Sequence, residues 1–293
     1  MPDTQYFTNI DGKYVKDAEA RQQLNDLEDY VESLEQPWQP LQDGYSNFWF
    51  ELTNDTLSPW LNFSAKNANA VIDWGDGSGE VALDTLTPTH TYSKAGRYIV
   101  KVKGVTGIAR QFPQPYNGKY FPALRYAELS DEVTTINESG FQYCSSLLRV
   151  SIPDITVLNK SLFQSCSSLN KLSIPNTVTE IQQGVCYSVY SLESITIPSS
   201  VTSIGNNAFY YTISLTEVHV QATIPPTVGT NAFQGLRSDY VIYVPVGYGD
   251  TYKAASGWST YADHILEEGQ TPNRAMLAKF NSAKTDEPQD DMR

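Results

Sequence analysis

Residues able to do acid–base, nucleophilic or metal chemistry are few and scattered in this chain. The three histidines, His90, His219 and His264, lie far apart, and none belongs to a known nucleophile or metal-binding motif. The 33 Asp and Glu residues could still include a carboxylate pair of the kind that cleaves glycosidic bonds. We therefore expect a non-enzymatic protein without metal or cofactor, with glycan cleavage as a minor alternative.

Two pairs of residues allow a more specific prediction. Cys144 and Cys166 occupy the same position in two successive units of a sequence repeat. A disulfide between them is therefore geometrically possible, although we expect two buried free thiols. Asp73 and Asp76 could contribute to a calcium site. Two carboxylates provide too few oxygens for calcium, so hydrogen bonds to backbone N–H groups of a turn are favoured.

Composition restricts the class of protein. The net charge of −13 argues against nucleic acid and anionic membranes as partners. No apolar run approaches the roughly 20 residues of a membrane span. The N-terminal residues have neither a basic region nor an apolar core, so we expect no secretory signal. Few charges and 19 tyrosines are typical of a β-rich extracellular or virion protein.

A repeat fills residues 124–235. Its strand residues Leu129, Ile152, Ile174, Ile197 and Val220 recur every 22 or 23 positions. This period predicts a solenoid of five coils, because each unit can bury its apolar face only against its neighbours. Each coil is predicted to bury two strand residues, a plug residue and a closing leucine. The plugs are Phe141, Phe163, Cys186, Phe209 and Phe233, and the closing residues are Leu147, Leu169, Leu192 and Leu215.

The unit I-P-x-x-V-x-x-I-x-x-x-A-F-x-x-x-x-x-L resembles BspA-like leucine-rich repeats, and Tyr243–Asp263 resembles the end segment common in that family. The resemblance implies a solenoid with a C-terminal cap over residues 124–267. It also implies a surface adhesin rather than a catalyst. In this cap we predict a final strand over Tyr240–Val244 and a helix-prone run ending near Glu267. Residues 268–293 are predicted to be an acidic tail.

Residues 45–110 contain short alternating runs separated by turns, which predicts a small β-sandwich. The region resembles the PKD-like module, which is immunoglobulin-like and acts as a spacer or contact module. The residues that match it are Trp74, Gly75, Asp76, Gly77, His90, Thr91, Tyr92, Gly96 and Tyr98. For His90 we expect a structural hydrogen bond. Residues 111–123 are predicted to be a stiff connector to the solenoid.

Residues 1–40 are predicted to form an anchoring arm and a short helix. Ala20, Leu24, Leu27, Val31 and Leu34 form a two-heptad seam, which suits either an oligomerising coil or a helix lying on the protein's own body. The arm resembles the start of bacteriophage tail-associated structural proteins at Ile10, Asp11, Gly12, Tyr14, Val15, Lys16, Asp17, Ala20 and Arg21. That resemblance implies docking on a particle. The candidate docking and oligomer residues are Tyr6, Phe7, Ile10, Leu24, Leu27, Val31 and Leu34.

Candidate binding residues form outward rows on the solenoid strands. One row is Glu128, Ser151, Ser173, Thr196 and His219, and the next is Tyr126, Arg149, Lys171, Ser194 and Glu217. On the opposite edge, Tyr187, Tyr190, Tyr210 and Tyr211 cluster. Tyrosine rings stack on sugars and provide contact area at low entropic cost, although any one of them could instead fill the core.

These features together predict a mainly β, non-enzymatic virion protein of a bacteriophage, a tail or capsid fibre assembled in the host cytoplasm. Its expected partners are other virion proteins, further copies of itself and a host-surface glycan or protein. A bacterial cell-surface adhesin is the alternative. Neither nucleic acid nor membrane insertion is expected.

Overall fold

The computed structural model describes residues 44–52, 59, 61–111 and 123–272. The predicted arm and helix, most of the connector and most of the acidic tail lie outside these residues. So do all seven candidate docking residues, Tyr6, Phe7, Ile10, Leu24, Leu27, Val31 and Leu34.

The N-terminal region is one antiparallel sheet in the order β3-β2-β4-β1. Its strands are β1 (Tyr45–Leu52), β2 (Phe63–Asp73), β3 (Glu80–Ala82) and β4 (Gly96–Ile108). Side chains of β1 alternate between buried and half-buried, as a sheet with one covered face requires. A second sheet facing this one does not occur among the described residues of the region, so the predicted immunoglobulin-like sandwich is not confirmed.

The remaining described chain is a solenoid of about six turns. One ladder of short strands comprises β5 (Ala123–Glu128), β7 (Arg149–Ser151), β9 (Lys171–Leu172), β11 (Ser194–Ile197), β13 (Glu217–Val220) and β15 (Val241–Val244). A second ladder comprises β6 (Thr135–Ile136), β8 (Val157–Leu158), β10 (Glu180–Ile181), β12 (Ser203–Ile204) and β14 (Thr227–Val228). The first ladder has six strands, because the final strand adds a turn to the five predicted coils.

The N-terminal sheet continues directly into the first ladder and also pairs with β6, whereas the described strands show no pairing of β6 with β8. Strand β1 pairs antiparallel with β5, while the end of β4 pairs in parallel with β6. A single hydrophobic core extends from Phe48 in β1 to Ile265 near the C-terminus. The N-terminal sheet therefore covers the first coil, whose core would otherwise be exposed at the end of the stack.

The predicted coil interior is confirmed. The plug residues and the closing leucines are all buried, and rings in adjacent coils stack, with centroids 5.4 Å apart for Phe209 and Phe233. Each of five coils also turns through two left-handed residues, placed two positions before and two positions after the plug. They are Ser139 and Tyr143, Ser161 and Ser165, Gly184 and Ser188, Asn207 and Tyr211, and Asn231 and Gly235.

The C-terminal cap closes the other end of the stack. It contains α1 (Gly249–Ala254), a 3₁₀ helix (Trp258–His264) and β16 (Ile265–Glu267). Trp258 is fully buried and donates its indole N–H to the carbonyl of Pro226 at 2.7 Å. The helix-prone run thus ends three residues earlier than predicted, because Ile265–Glu267 pairs with β15 as a further strand.

Candidate binding surfaces

The outward side chains of the first ladder form a surface that we call the strand face. Several neighbours of the predicted rows are paired across adjacent strands. Tyr126 pairs with Arg149 and Arg149 with Lys171, while Ser194 pairs with Glu217. In the other row, Glu128 pairs with Ser151, and Thr196 pairs with His219.

The strand pairing beneath these rows does not run the whole length of the solenoid. Strand β9 belongs to the sheet that includes the N-terminal region, whereas β11 begins a separate four-stranded sheet. The break falls where β9 is only two residues long, so Lys171 and Ser194 are not paired neighbours. The strand pairing is therefore interrupted between Lys171 and Ser194, and the continuation of the row across this break stays a prediction.

Arg149 is a second correction on the strand face. The sequence predicts an exposed side chain, but only 7% of Arg149 is accessible. Lys171, on the next strand, is exposed, and Tyr126 is half-buried. Arg149 is therefore a covered part of this face, whereas Lys171 is available to a partner.

At the C-terminal end of the strand face, His219 is the centre of a charged cluster. Its Nδ1 lies 2.8 Å from Oε1 of Glu268, and its Nε2 lies 3.6 Å from Oε2 of Glu217. The imidazole stacks on Tyr243, with centroids 5.0 Å apart. The polar and charged groups of the cluster contact one another, as expected for a solvated sheet surface.

The opposite surface carries the residues one, two, four and five positions after each plug, and we call it the outer edge. In the four coils with plugs Phe141 to Phe209 these positions hold tyrosine, serine, glutamine and one isoleucine, and none is charged. They are Gln142, Tyr143, Ser145, Ser146, Gln164, Ser165, Ser167, Ser168, Tyr187, Ser188, Tyr190, Ser191, Tyr210, Tyr211, Ile213 and Ser214.

The predicted tyrosine cluster lies on this outer edge. Tyr187 and Tyr210 are half-buried and stacked at 5.3 Å, and Tyr211 lies 4.7 Å from Tyr210. Tyr190 and Tyr211 are 44% and 49% exposed. None of the four fills the core, so the alternative that they replace a plug does not hold.

The sequence prediction missed two features of the outer edge. Tyr143 is 42% exposed and has Arg110 above its ring at 5.9 Å. Gln142 donates a hydrogen bond to Gln164 in the next coil at 2.9 Å. The second feature could have been found by reading the position after each plug as a column, Gln142, Gln164, Tyr187, Tyr210 and Gln234.

The two aspartates of the N-terminal turn bind backbone, as favoured from the sequence. Asp73 accepts a hydrogen bond from the N–H of Gly75 at 2.9 Å, and Asp76 accepts one from Ser78 at 3.0 Å. Asp76 also contacts His90 at 2.8 Å, and the His90 ring stacks on Trp74. The hydrogen bonds from Ser78, with a smaller effect of His90, lower the pKa of Asp76 to about 2.

The cysteines are free thiols. Cys144, Cys166 and Cys186 are all buried, and the Sγ of Cys166 donates to the carbonyl of Phe141 at 3.0 Å. Burial raises the pKa of Cys144 and of Cys186, so both remain protonated and unreactive at neutral pH.

A groove of about 870 Å³ lies between the last coil and the cap. Arg237 and Asp239 form a two-pronged ion pair on its wall at 2.7 and 2.9 Å. His264 stacks on Tyr240 at 4.0 Å and its Nδ1 lies 2.9 Å from the Tyr240 carbonyl oxygen. The contacts between His264 and Tyr240 hold the cap against the last coil. No helix of the described ranges is long and apolar enough to cross a membrane.

Residues 119–238 match the BspA type leucine-rich repeat region in six copies. The chain therefore contains a BspA-type leucine-rich repeat region, as its repeat unit predicted. The likenesses of residues 45–110 to the PKD-like module and of the N-terminal arm to bacteriophage proteins stay predictions. No curated protein matches the chain.

Several solved structures are similar to the chain. A leucine-rich repeat protein of T. pallidum is 23% identical, with 55% of this chain and 69% of that chain covered and a TM-score of 0.37. A leucine-rich cell surface protein from Faecalibacterium prausnitzii is 26% identical, with coverages of 58% and 53% and a TM-score of 0.37. A leucine-rich repeat protein from Bacteroides ovatus is 22% identical, with coverages of 47% and 41% and a TM-score of 0.31.

Proposed function

We propose that this chain is a non-enzymatic adhesion protein whose solenoid binds a glycan or a protein on a bacterial surface. The observation that carries the proposal is the outer edge, an uncharged, tyrosine-rich surface on a rigid stack of coils. Tyrosine and serine are the residues that recognition surfaces favour, because tyrosine gives rigid amphipathic contact area and serine gives adaptable hydrogen bonds. A BspA-type repeat region is compatible with adhesion.

The contacts of the three histidines are compatible with a binding protein. His90 contacts a turn aspartate, His219 contacts Glu268, and His264 contacts a backbone oxygen. Each partner is part of the fold, and each pair helps to fix a turn, a sheet end or the cap. A general base would instead have to face a substrate that it can reach.

The adhesion role can be tested on intact bacterial cells with the labelled full-length chain. Retention of the chain on cells supports the proposal. The double variant Tyr187→Ala/Tyr210→Ala should lose this retention, whereas the variant Tyr248→Ala, which changes an exposed tyrosine of the cap, should keep it. Equal retention of all three proteins would contradict the assignment of the outer edge.

The finer part of the proposal is that the chain is a structural component of a bacteriophage virion, a tail or capsid fibre. Support comes from the resemblance at Ile10–Arg21, which suits an arm that docks on other virion proteins. The amphipathic seam from Ala20 to Leu34 suits a homo-oligomer. Mass spectrometry of purified particles is the test. A particle that lacks this chain would refute the virion role and leave adhesion standing.

A bacterial cell-surface adhesin is the second candidate, favoured by the BspA-type repeat. Neighbouring genes distinguish the two, since tail and capsid genes would accompany a virion protein. Incubation with purified capsular polysaccharide tests the non-enzymatic part of the proposal. Shortening of the polysaccharide chains would show a depolymerase and overturn it.

A further inference from the structure

We infer that the outer edge binds a linear, uncharged glycan that lies along the axis of the solenoid, with about one sugar unit for each coil. This inference rests on the proposed adhesion function and specifies its ligand. The contact surface is the column of residues directly after each plug, Gln142, Gln164, Tyr187, Tyr210 and Gln234.

Charge is the first argument. The chain has a net charge of −13, yet the outer edge of four successive coils has no charged residue. An acidic glycan or a basic protein segment would bind most favourably where opposite charges are placed to meet it. An uncharged surface of rings, amides and hydroxyls instead matches the apolar faces and hydroxyl groups of neutral sugars.

Periodicity is the second argument. Adjacent coils are about 4.8 Å apart, which is comparable with the length of one hexose unit in an extended chain. The column repeats at this spacing, as the stacked rings of Tyr187 and Tyr210 and the hydrogen bond from Gln142 to Gln164 show. A repeating row of groups is matched by a repeating polymer, whereas a folded protein surface presents no such repeat.

Backbone conformation is the third argument. Tyr143 and Tyr211 have φ angles of 65° and 56°, in the left-handed region that bulky residues rarely adopt. Serine or glycine occupies this position in the other coils, at Ser165, Ser188 and Gly235. A large ring kept in an unfavourable backbone conformation, and left about half exposed, indicates a use outside the fold.

Contacts within the outer edge also hold the rings in place before any ligand arrives. Tyr211 lies against Gly235, where an added Cβ would come within 2.9 Å of the ring. Tyr210 is held between Tyr187 and Tyr211. Rings fixed in this way lose little conformational entropy when a sugar contacts their outward edges and hydroxyl groups.

The experiment is a titration of the purified full-length chain with linear oligosaccharides of increasing length. Neutral β-linked glucose and N-acetylglucosamine series are the probes, with uronic acid oligosaccharides as the acidic comparison. We expect affinity for a neutral series to rise with length and to level off once the ligand spans the column from Gln142 to Gln234. The acidic series should bind more weakly than a neutral one of equal length.

Single variants locate the site. Tyr187→Ala and Tyr210→Ala should each weaken binding by about tenfold or more. Tyr210→Phe should keep most of the affinity because its ring is retained, and Tyr248→Ala should not change it. Thermal unfolding of every variant separates lost binding from lost folding.

Three results would overturn the inference. They are no binding of either neutral series, binding that does not depend on ligand length, and preference for the acidic series. The labelled chain could also bind cells through a protein, in which case protease treatment of the cells would remove the binding. That result would refute the glycan inference and leave the adhesion function standing. If the chain binds no cells, the adhesion proposal itself fails.

Discussion

The strand face and the outer edge belong to the same coils but differ in chemistry. The strand face carries Lys171, Glu217 and His219, and its histidine cluster contacts two carboxylates. The outer edge carries no charge over four coils and exposes tyrosine. The difference shows that a regular fold does not determine where a binding surface lies, because both surfaces repeat with the same period.

The backbone explains part of this difference. Strand residues are extended and alternate between core and solvent, so an outward position tolerates almost any polar side chain. The outer edge instead turns through a left-handed residue in every coil, which favours small residues there. The large rings of Tyr143 and Tyr211 depart from that preference. The charged side chains of the strand face conflict with no backbone preference.

The largest expected effect tests whether both surfaces depend on one shared interior. Replacement of the plug by Phe209→Ala should lower the free energy of unfolding by about 3–5 kcal/mol, because it leaves a cavity in a close-packed core. Chemical denaturation measures the change. The neighbouring variant Tyr210→Ala, on the outer edge, should cost less than about 1 kcal/mol. Similar losses of unfolding free energy for both variants would contradict the assignment of Phe209 to the core and of Tyr210 to the surface.

A smaller effect tests the left-handed turn of the outer edge. Ser188 has a φ angle of 56°, so Ser188→Gly should raise the free energy of unfolding by about 0.5–1 kcal/mol, because glycine relieves a backbone penalty that exceeds its own entropic cost. The same change on the strand face, Ser194→Gly in β11, should lower it by about 0.5–1 kcal/mol. Effects of the same sign at both positions would contradict the backbone difference between the two surfaces.

Acid should weaken the N-terminal sheet through Asp76, by less than about 1 kcal/mol because the group is exposed. The folded pKa of about 2 lies below the ordinary value of 3.8, so the unfolded chain binds this proton more readily. The contribution of the Asp76 carboxylate to the free energy of unfolding is therefore complete above about pH 4 and is lost as the pH falls towards 2. Urea midpoints measured across this range should fall less steeply for Asp76→Asn. Identical pH profiles would show that Asp76 contributes nothing.

The smallest expected effect is that of salt on ligand binding. If the outer edge of the four coils with plugs Phe141 to Phe209 is the binding surface, affinity for cells or glycans should change little between low and high salt, because these coils place no charged residue there. A strand-face site, with Lys171 and Glu217, would instead respond to salt. A strong salt dependence measured by titration would move the site to the strand face.

Much of the solenoid could be predicted from the sequence because its signal is periodic. The plug residues, the closing leucines and the pairing of Tyr126 with Arg149 all follow from a repeat of 22 or 23 residues. The cap strand Ile265–Glu267 and the burial of Arg149 could not be predicted, because each depends on contacts with distant residues that have no periodic trace. The same holds for the pairing of β1 with β5.

The amino-acid sequence by itself determined that this chain stacks coils, since only stacking buries a phenylalanine and a leucine that recur in nearly every unit. It also determined which surface of those coils is free of charge. Only the tertiary structure decided how the stack ends and where its strand pairing is interrupted. Both features depend on which strands, far apart in the chain, pair with the unpaired backbone groups of a strand edge. The residue pattern of a single segment does not show which partner it will pair with.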